Sequence, residues 1–410
     1  MATQDYFSKS RLFKARKVAR YVELYGLART VAKIRAQYHM RAGLEFEGTR
    51  WNNSACPDIA DRERSIGIIG CGAFSYSVIA YYLARQRRSF LRGAMDISRA
   101  RARSLVARYK GAYATTDFHE IVGDPAISLV YIASNHASHA EYAVKCIEGG
   151  KHVLIEKPMA TKLEDCDLML AAAAKRGLIT AVAHNLRFRI NLPKLRQLIQ
   201  EGTLGKVQSM HFSMIRQLVN AGNFGGNKTG WVNQPETVGF VIDGLPHGVD
   251  AMRWVTGAEV IRVAGFSRTY TPGRPIEDTT VGIMEYSNGA ICSVHTTIAS
   301  HGDFNGEMAR LMICGDRGSV NMDGFGDMHL TDREQGWRLV STQPPVMADD
   351  PESAYKIGRM LAFQNQIQSF IDGIHGKPSH VATGADGRAG LAACLAMLTS
   401  SQSGRVIDLR

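Results

Sequence analysis

The chain has 410 residues, of which 45% are hydrophobic and 21% are charged, proportions that are ordinary for a soluble globular protein of two or three domains. No apolar run approaches the ~18 residues that span a bilayer and no signal-peptide core is found, so we expect a cytoplasmic protein. Seven scattered cysteines lack any CxxC or Cys/His ligand spacing, which favours reduced thiols and argues against a structural metal.

The net charge of +11 lies mostly near the N-terminus. Residues 1–41 hold ten Lys and Arg against Asp5 and Glu23, a net of +8, which leaves +3 for the other 369 residues. The main body is therefore not strongly basic, and no DNA- or RNA-binding pattern accompanies the basic segment. We expect no nucleic-acid partner.

Residues 1–64 are predicted to be a basic helical arm and a linker. The arm reads as two helices over 8–40 that break near Gly26, because apolar residues recur at helical spacing. These residues are Phe13, Val18, Tyr21, Val22, Tyr25, Val31, Ile34 and Tyr38. Three roles stay open: packing on its own domain or subunit partner, contact with an anionic membrane surface, and an organellar transit segment.

Residues 65–184 alternate between apolar strands and helices. The apolar runs end at Met95, Ala133, Ile155 and Ala183, and the helical stretches lie near 98–110, 137–149 and 164–176. Strands separated by helices of this length predict a parallel sheet covered on both faces. This is an α/β Rossmann-type dinucleotide-binding domain, with its ligand at the carboxyl ends of the strands.

A glycine-rich turn joins the first strand of this domain to a helix. Gly70 permits the turn, and Gly72 lets the backbone approach a pyrophosphate at the helix N-terminus. Ala73 and Phe74 follow, and Ser75 stands where Gly or Ala is usual, so the strand and helix must tolerate a larger contact. A βα turn without a ligand is the alternative.

The next strand ends at Asp96, 24 residues beyond Gly72. A carboxylate there accepts hydrogen bonds from both ribose hydroxyls of an adenosine, which favours NAD. Ser98, Arg99 and Arg101 could bind the 2′-phosphate of NADP if Asp96 turned away. We therefore expect NAD and keep NADP as the alternative.

Residues 185–410 are predicted to form an α+β substrate-binding and oligomerisation domain with a large, mostly antiparallel sheet. After a helix at 191–201, alternating segments cover 207–219, 260–270, 279–286, 290–299 and 310–314. The turn signals 287–289 and 315–318 separate them, and Asn-Gly between alternating runs predicts a hairpin. Helices near 354–374 and 385–400 follow.

Two motifs carry residues suited to proton transfer. Glu156-Lys157-Pro158 follows an apolar strand, which places Lys157 at the carboxyl edge of the sheet. Asp243 and His247 are spaced i, i+4 and share one face if their segment is helical. An exposed loop lysine and a core histidine are the structural alternatives.

These residues carry a family resemblance. Five segments follow in the order and spacing of the glucose–fructose oxidoreductase, inositol dehydrogenase and rhizopine-catabolism (Gfo/Idh/MocA) family. They are GCGAFS (70–75), SNHASHA (134–140), GKHVLIEKPMA (150–160), HNLRFRINLPKLRQLIQEGTLGKV (184–207) and DGLPHGVD (243–250). The chain resembles this family over roughly 65–410. The resemblance implies an NAD- or NADP-dependent oxidoreductase acting on CH–OH groups of sugars, nucleotide sugars or cyclic polyols.

The resemblance also implies roles for individual residues. Lys157 would bind substrate and transfer a proton, His247 would act as the acid/base, and Asp243 would bind substrate. Ser134, Asn135, His139 and Glu156 are expected at the cofactor, together with Gly70, Gly72, Ala73, Phe74, Ser75, Asp96, Ser98, Arg99 and Lys157. We expect the substrate pocket to be lined by His184, Asn185, Arg187 and Trp231, for which structural roles are the alternative. Arg216 and Lys228 could meet a diphosphate, and solvated surface charges are the alternative for them.

The arm before residue 65 lies outside the family core and resembles a segment of bacterial relatives associated with surface polysaccharide. This favours a nucleotide sugar as substrate and a role in polysaccharide biosynthesis. The alternatives are a catabolic dehydrogenase of free sugars or inositols, and a non-catalytic nicotinamide-binding sensor or assembly partner. We expect a homodimer or homotetramer. Gly239-Phe240, which replaces the usual glycine run before Asp243, leaves the shape of the substrate loop open.

Overall fold

The computed structural model describes residues 10–45, 64–85, 90–189, 191–216, 239–300, 309–323, 327–342 and 358–410. The chain divides into two compact units, each described here by itself. The first comprises Ala15–Ala183 and Val346–Gly384. The second comprises Met1–Lys14, His184–Pro345 and Ala385–Arg410.

The first unit is built on a sheet of seven strands. Six are parallel: β1 (Arg64–Ile69), β2 (Phe90–Met95), β3 (Tyr113–Thr115), β4 (Leu129–Ile132), β5 (His152–Ile155) and β6 (Thr180–Val182). A short strand, β15 (Ala382–Thr383), pairs antiparallel with β6, giving the order β15-β6-β5-β4-β1-β2-β3. The central strands are continuous apolar runs because both faces are covered. The predicted Rossmann domain is confirmed.

Helices cover this sheet. They are α2 (Ala80–Leu83), which continues a π turn over Ser75–Ile79, α3 (Arg99–Tyr109), α4 (Phe118–Gly123), α5 (His139–Glu148), α6 (Leu163–Arg176) and α9 (Gly358–Ile374). The predicted spans of α3, α5 and α6 agree with the structure within two residues at each end. Strand β3 and helix α4 are short and were not predicted. Helix α9 lies in this first unit, whereas the sequence placed it in the second domain.

The N-terminal arm forms α1 (Arg11–Glu45), which is broken at Gly26, where φ is 73° and ψ is 165°. This confirms two helices. After the break, α1 packs on the first unit through Ala32 and Ala36, which are nearly fully buried, whereas Tyr38 is exposed. The buried face therefore differs from the predicted apolar stripe, since small side chains let the helix approach its neighbours closely.

The second unit contains a sheet of nine strands. They are β7 (Val207–Ile215), β8 (Val260–Arg268), β9 (Thr279–Tyr286), β10 (Ile291–Thr297), β11 (Ala309–Gly315), β12 (Gly318–Asp323), β13 (Met328–Asp332), β14 (Arg338–Ser341) and β16 (Ile407–Asp408). The order is β14-β13-β12-β11-β7-β10-β9-β8-β16, and β7 pairs parallel with β10 in an otherwise antiparallel sheet. The predicted mostly antiparallel sheet is confirmed, including the hairpin at the Asn-Gly turn between β9 and β10.

The helices of this unit are α7 (Asn191–Gln200), α8 (Gly239–Thr256) and α10 (Gly384–Ser403). Helix α8 packs on one face of the sheet, on β7, β9 and β10. Alternate side chains of these strands, such as Phe212, Met284 and Val294, are buried on that face. The sheet thereby fixes the helix that carries Asp243 and His247. Within the described ranges, no helix is long and apolar enough to cross a membrane.

Candidate active site

The glycine-rich turn follows β1 directly. Gly70 has φ of 92°, and a Cβ atom at this position would lie 2.5 Å from the carbonyl oxygen of Ala133, so glycine is required. An added Cβ on Gly72 would meet no atom within 4 Å. The turn is therefore closed against the end of β4 and open beside Gly72, which suits a bound pyrophosphate.

Ser75 fits into the turn and adds a bond to it. Its side chain is buried, and its hydroxyl donates to the carbonyl oxygen of Gly70 at 2.5 Å. Ser75, which stands where Gly or Ala is usual, therefore closes the turn by this hydrogen bond. The neighbouring Phe74 is partly exposed and packs edge-on against Phe363 of α9, with ring centroids 5.8 Å apart.

Asp96 is held facing this turn. One carboxylate oxygen accepts from the Cys71 N–H at 2.7 Å, and the other accepts from the Ser98 N–H at 2.8 Å. Two such bonds leave acceptor capacity for ribose hydroxyls. The carboxylate does not turn away towards solvent, and Arg99 is exposed at the start of α3. This geometry favours NAD over NADP.

The loop after β4 lies next to the turn, because its first residues are those that approach Gly70. Asn135 accepts from the Ser138 N–H at 3.0 Å, and the Ser138 hydroxyl donates to that of Ser134 at 2.8 Å. These bonds order the loop and leave Asn135 exposed. Ser134 and Asn135 therefore lie beside the glycine-rich turn, and their contact with a cofactor stays a prediction.

The Glu156-Lys157-Pro158 motif follows β5, at the same edge of the sheet. The hydroxyl of Tyr131 on β4 donates to a carboxylate oxygen of Glu156 at 2.7 Å, and Lys157 is half-buried. The Lys157–Pro158 peptide bond is cis. Glu156 is thus fixed from the neighbouring strand, which the sequence did not indicate.

His139 does not have the role expected for it. The ring is fully buried, and its Nδ1 donates to the carbonyl oxygen of Pro158 at 2.8 Å. Burial lowers the pKa of His139 to about 4, so the ring is neutral and donates one hydrogen bond. It therefore holds the loop that carries Lys157 and presents no free edge to a cofactor.

Asp243 and His247 lie on α8 and are one turn apart, which confirms the helical spacing on which the prediction depended. Asp243 is buried and His247 is half-buried. The ring of His184 lies edge-on to that of His247, with centroids 6.2 Å apart. A histidine with a neighbouring ring and a carboxylate one turn away is suited to acid/base work.

Arg187 differs from the expectation that it contacts substrate. Its Nε and Nη2 donate to the two carboxylate oxygens of Asp250 at 2.8 and 2.5 Å, and Nη2 lies 3.2 Å from Asp386. Although burial opposes it, the two carboxylates raise the pKa of Arg187. The side chain is engaged in a buried ion pair that ties the segment after His184 to α8 and α10. Sequence reasoning quoted Asp250 in the motif but assigned it no partner.

Glu277 is a second group that sequence reasoning missed. Its Oε1 accepts from the Val241 N–H in the first turn of α8 at 2.5 Å, and a Cβ on Gly239 would lie 2.4 Å from that oxygen. Burial raises the pKa of Glu277 to about 7, against the Val241 N–H and Arg274. Glycine is therefore needed at position 239, because any side chain there would clash with Glu277. Glu277 in turn caps the N-terminus of α8, the helix that carries Asp243.

The remaining predicted residues are placed as follows. Asn185 is buried in a short 3₁₀ helix, Asn185–Phe188, and Arg216 is half-buried after β7. Trp231 and Lys228 lie outside the described residues. Among those that the structure describes, no group of three or more His, Cys, Asp or Glu could hold a metal ion.

Family models match both halves of this arrangement. A model of the oxidoreductase family with an NAD-binding Rossmann fold matches residues 64–184, and a model of the GFO/IDH/MocA C-terminal domain matches residues 192–321. The chain belongs to the Gfo/Idh/MocA family. It is an NAD(P)-dependent oxidoreductase, and the residues at the turn fit NAD.

Relatives in the Gfo/Idh/MocA family include a 1,5-anhydro-D-fructose reductase of Ensifer adhaerens, 28% identical over 75% of this chain and 89% of that protein. An inositol 2-dehydrogenase of Saccharopolyspora erythraea is 26% identical over 83% of this chain and 94% of its own length. Levoglucosan dehydrogenase, solved with NADH and L-sorbose, superposes with a TM-score of 0.73 at 22% identity, covering 85% of this chain and 99% of that one.

Proposed function

We propose that the protein transfers hydride between NAD and a ring carbon of a free sugar or cyclic polyol, interconverting a secondary alcohol and a ketone. The observation that carries this proposal is Asp243 and His247 on one face of α8, in a chain whose turn fits NAD. The names of the Ensifer and Saccharopolyspora relatives, a sugar reductase and an inositol dehydrogenase, support this substrate class.

The proposed reaction assigns one role to each of His247, Asp243 and Lys157. When bound, NAD supplies the hydride acceptor at nicotinamide C4. His247 takes the hydroxyl proton as hydride leaves the carbon, and Asp243 orients the substrate and the ring. Lys157 polarises the substrate oxygen. His139 and Tyr131 fix the residues on either side of that lysine, through Pro158 and Glu156.

A ligand screen tests the substrate class. The protein is heated with NAD or NADP, alone and then with inositols, free hexoses or UDP-sugars, and unfolding is followed by fluorescence. A ligand at 100 times its Kd stabilises by about 2.7 kcal/mol, which shifts the melting temperature measurably. We expect a shift with NAD and a further shift with a free sugar or inositol, accompanied by NADH formation at 340 nm.

A nucleotide sugar and a role in polysaccharide biosynthesis stay a prediction from the arm alone. A shift and turnover with UDP-sugars but not with free sugars or inositols would contradict the proposal and favour that alternative. Membrane contact through the N-terminal arm likewise stays a prediction.

We also propose that two copies pair through the face of the nine-stranded sheet opposite α8. Large apolar side chains are exposed there on neighbouring strands: Phe266, Val281, Ile283, Ile291 and Met312. A contiguous apolar patch of this kind is typical of an interface. We expect a dimer or tetramer by analytical ultracentrifugation, and Ile283→Asp to shift it towards the monomer. Native protein that sediments as a monomer would contradict this.

A further inference from the structure

The N-terminal arm reaches the glycine-rich turn. His39 of the arm is 3% exposed. Its ring stacks on that of Tyr76, the buried residue that directly follows the turn, with ring centroids 4.2 Å apart. Its Nε2 lies 2.6 Å from the carbonyl oxygen of Cys71, within the turn. Its Nδ1 lies 3.0 Å from the hydroxyl of Ser104 on α3.

These contacts define one protonation state. Burial lowers the pKa of His39 by more than its bond to Cys71 raises it, and Arg101 also lowers it whereas Asp96 raises it. The ring is therefore neutral at pH 7. Nε2–H donates to the Cys71 carbonyl, and Nδ1 accepts from the Ser104 hydroxyl. Both nitrogens are satisfied by this single tautomer.

Both polar backbone groups of Cys71, which belong to the peptide units on either side of its Cα, are thereby held. Asp96 accepts the Cys71 N–H, and His39 takes the Cys71 carbonyl. In a planar trans peptide, the carbonyl of one residue and the N–H of the next point in opposite directions. Fixing the Cys71 carbonyl towards the arm therefore directs the Gly72 N–H away from it.

The Gly72 N–H is one of the backbone donors before the helix N-terminus, where a phosphate group is bound in dinucleotide folds. Within the described part of the chain, no protein acceptor takes it, and the space beside Gly72 is open. A peptide that is already oriented does not lose the corresponding conformational freedom when an anion binds. The hydrogen bond from His39 to the Cys71 carbonyl thus orients the Gly72 N–H at the cofactor site.

We propose that the arm is a working part of the dinucleotide site, in which His39 is a positioning residue that presets the Gly72 N–H for the pyrophosphate of NAD. The match of the family model begins at residue 64, so the arm lies outside the part of the chain that this model covers. The proposal rests on the cofactor assignment above. It gives the basic arm a role in cofactor affinity.

The test is isothermal titration of the full-length protein with NAD. Loss of one orienting hydrogen bond is worth roughly 0.5–1.5 kcal/mol, so we expect His39→Ala to raise the Kd for NAD about 2- to 10-fold. His39→Gln retains an N–H donor and is expected to recover most of the affinity. Leu27→Ala, at an exposed position of the same arm, is the matched control and should bind as the native protein does.

The outcomes separate the possibilities. A native Kd in a folded His39→Ala would overturn the proposal. Equal Kd values for the Ala and Gln variants would also overturn it, because the effect would then be loss of packing rather than of the donor. If His39→Ala does not fold, the Gln variant alone decides, and a Kd 2- to 10-fold above native would overturn the proposal. Native protein that binds no NAD would overturn the cofactor assignment itself.

Discussion

Replacing His247 with asparagine is expected to lower kcat at least about 100-fold, which is the usual scale for losing a general acid or base. Asparagine has similar size and polarity but takes up no proton near neutral pH. Helix α8 should be retained, since His247 is half-buried and not among its core residues. The measurement is steady-state NADH formation at saturating NAD and substrate.

Two controls show whether a loss of kcat is specific to His247: the Kd for NAD and a second histidine variant. The Kd for NAD should be unchanged in the His247 variant, because the turn and Asp96 belong to the other unit of the chain. His329→Asn makes the same chemical change at a half-buried histidine on β13 and should leave kcat unchanged. A His247→Asn enzyme with native turnover would remove His247 from the mechanism.

Replacing Arg187 with methionine is expected to destabilise the protein by about 3–5 kcal/mol, the range for removing one partner of a buried ion pair. The reason is Asp250, which is fully buried and would lose both hydrogen bonds from the Arg187 guanidinium. Methionine fills much of the same volume, so the loss reports mainly on the charge. Urea denaturation followed by tryptophan fluorescence measures it.

The control is Arg262→Met, which breaks the more exposed pair with Glu285 and should cost no more than about 1 kcal/mol. A double variant, Arg187→Met with Asp250→Leu, removes both charges and should recover part of the lost stability. A loss below about 1 kcal/mol in Arg187→Met alone would show that the pair is not structural and would return Arg187 to the substrate-binding candidates.

Much of the first unit could be predicted because its signals are local. The glycine turn, the strand-terminal Asp96 and the lysine after β5 each depend on a strand end that the apolar pattern marks. The i, i+4 spacing of Asp243 and His247 likewise needs only a helix. Short elements such as β3 and α4 were not predicted, because a few residues are too short a stretch to show a periodic apolar pattern.

The partners of buried polar groups could not be predicted in this way. Arg187 and Asp250 are 63 residues apart, and Glu277 lies 36 residues beyond the amide that it accepts. His139 looked like a cofactor ligand because its motif was recognised and its burial was not visible. The sequence gives the type of a polar residue but does not show whether its side chain bonds a ligand or another residue. Only the packed structure distinguishes the two.

The sequence by itself determined the family, the dinucleotide fold and NAD as the cofactor, and it predicted the residues for proton transfer. Each of these follows from local patterns of backbone geometry and residue chemistry. The tertiary structure decided which polar groups hold the scaffold, and that His39 on the arm touches the turn 32 residues later. Those contacts depend on where separate segments meet, because desolvation and hydrogen-bond geometry exist only after the chain has packed.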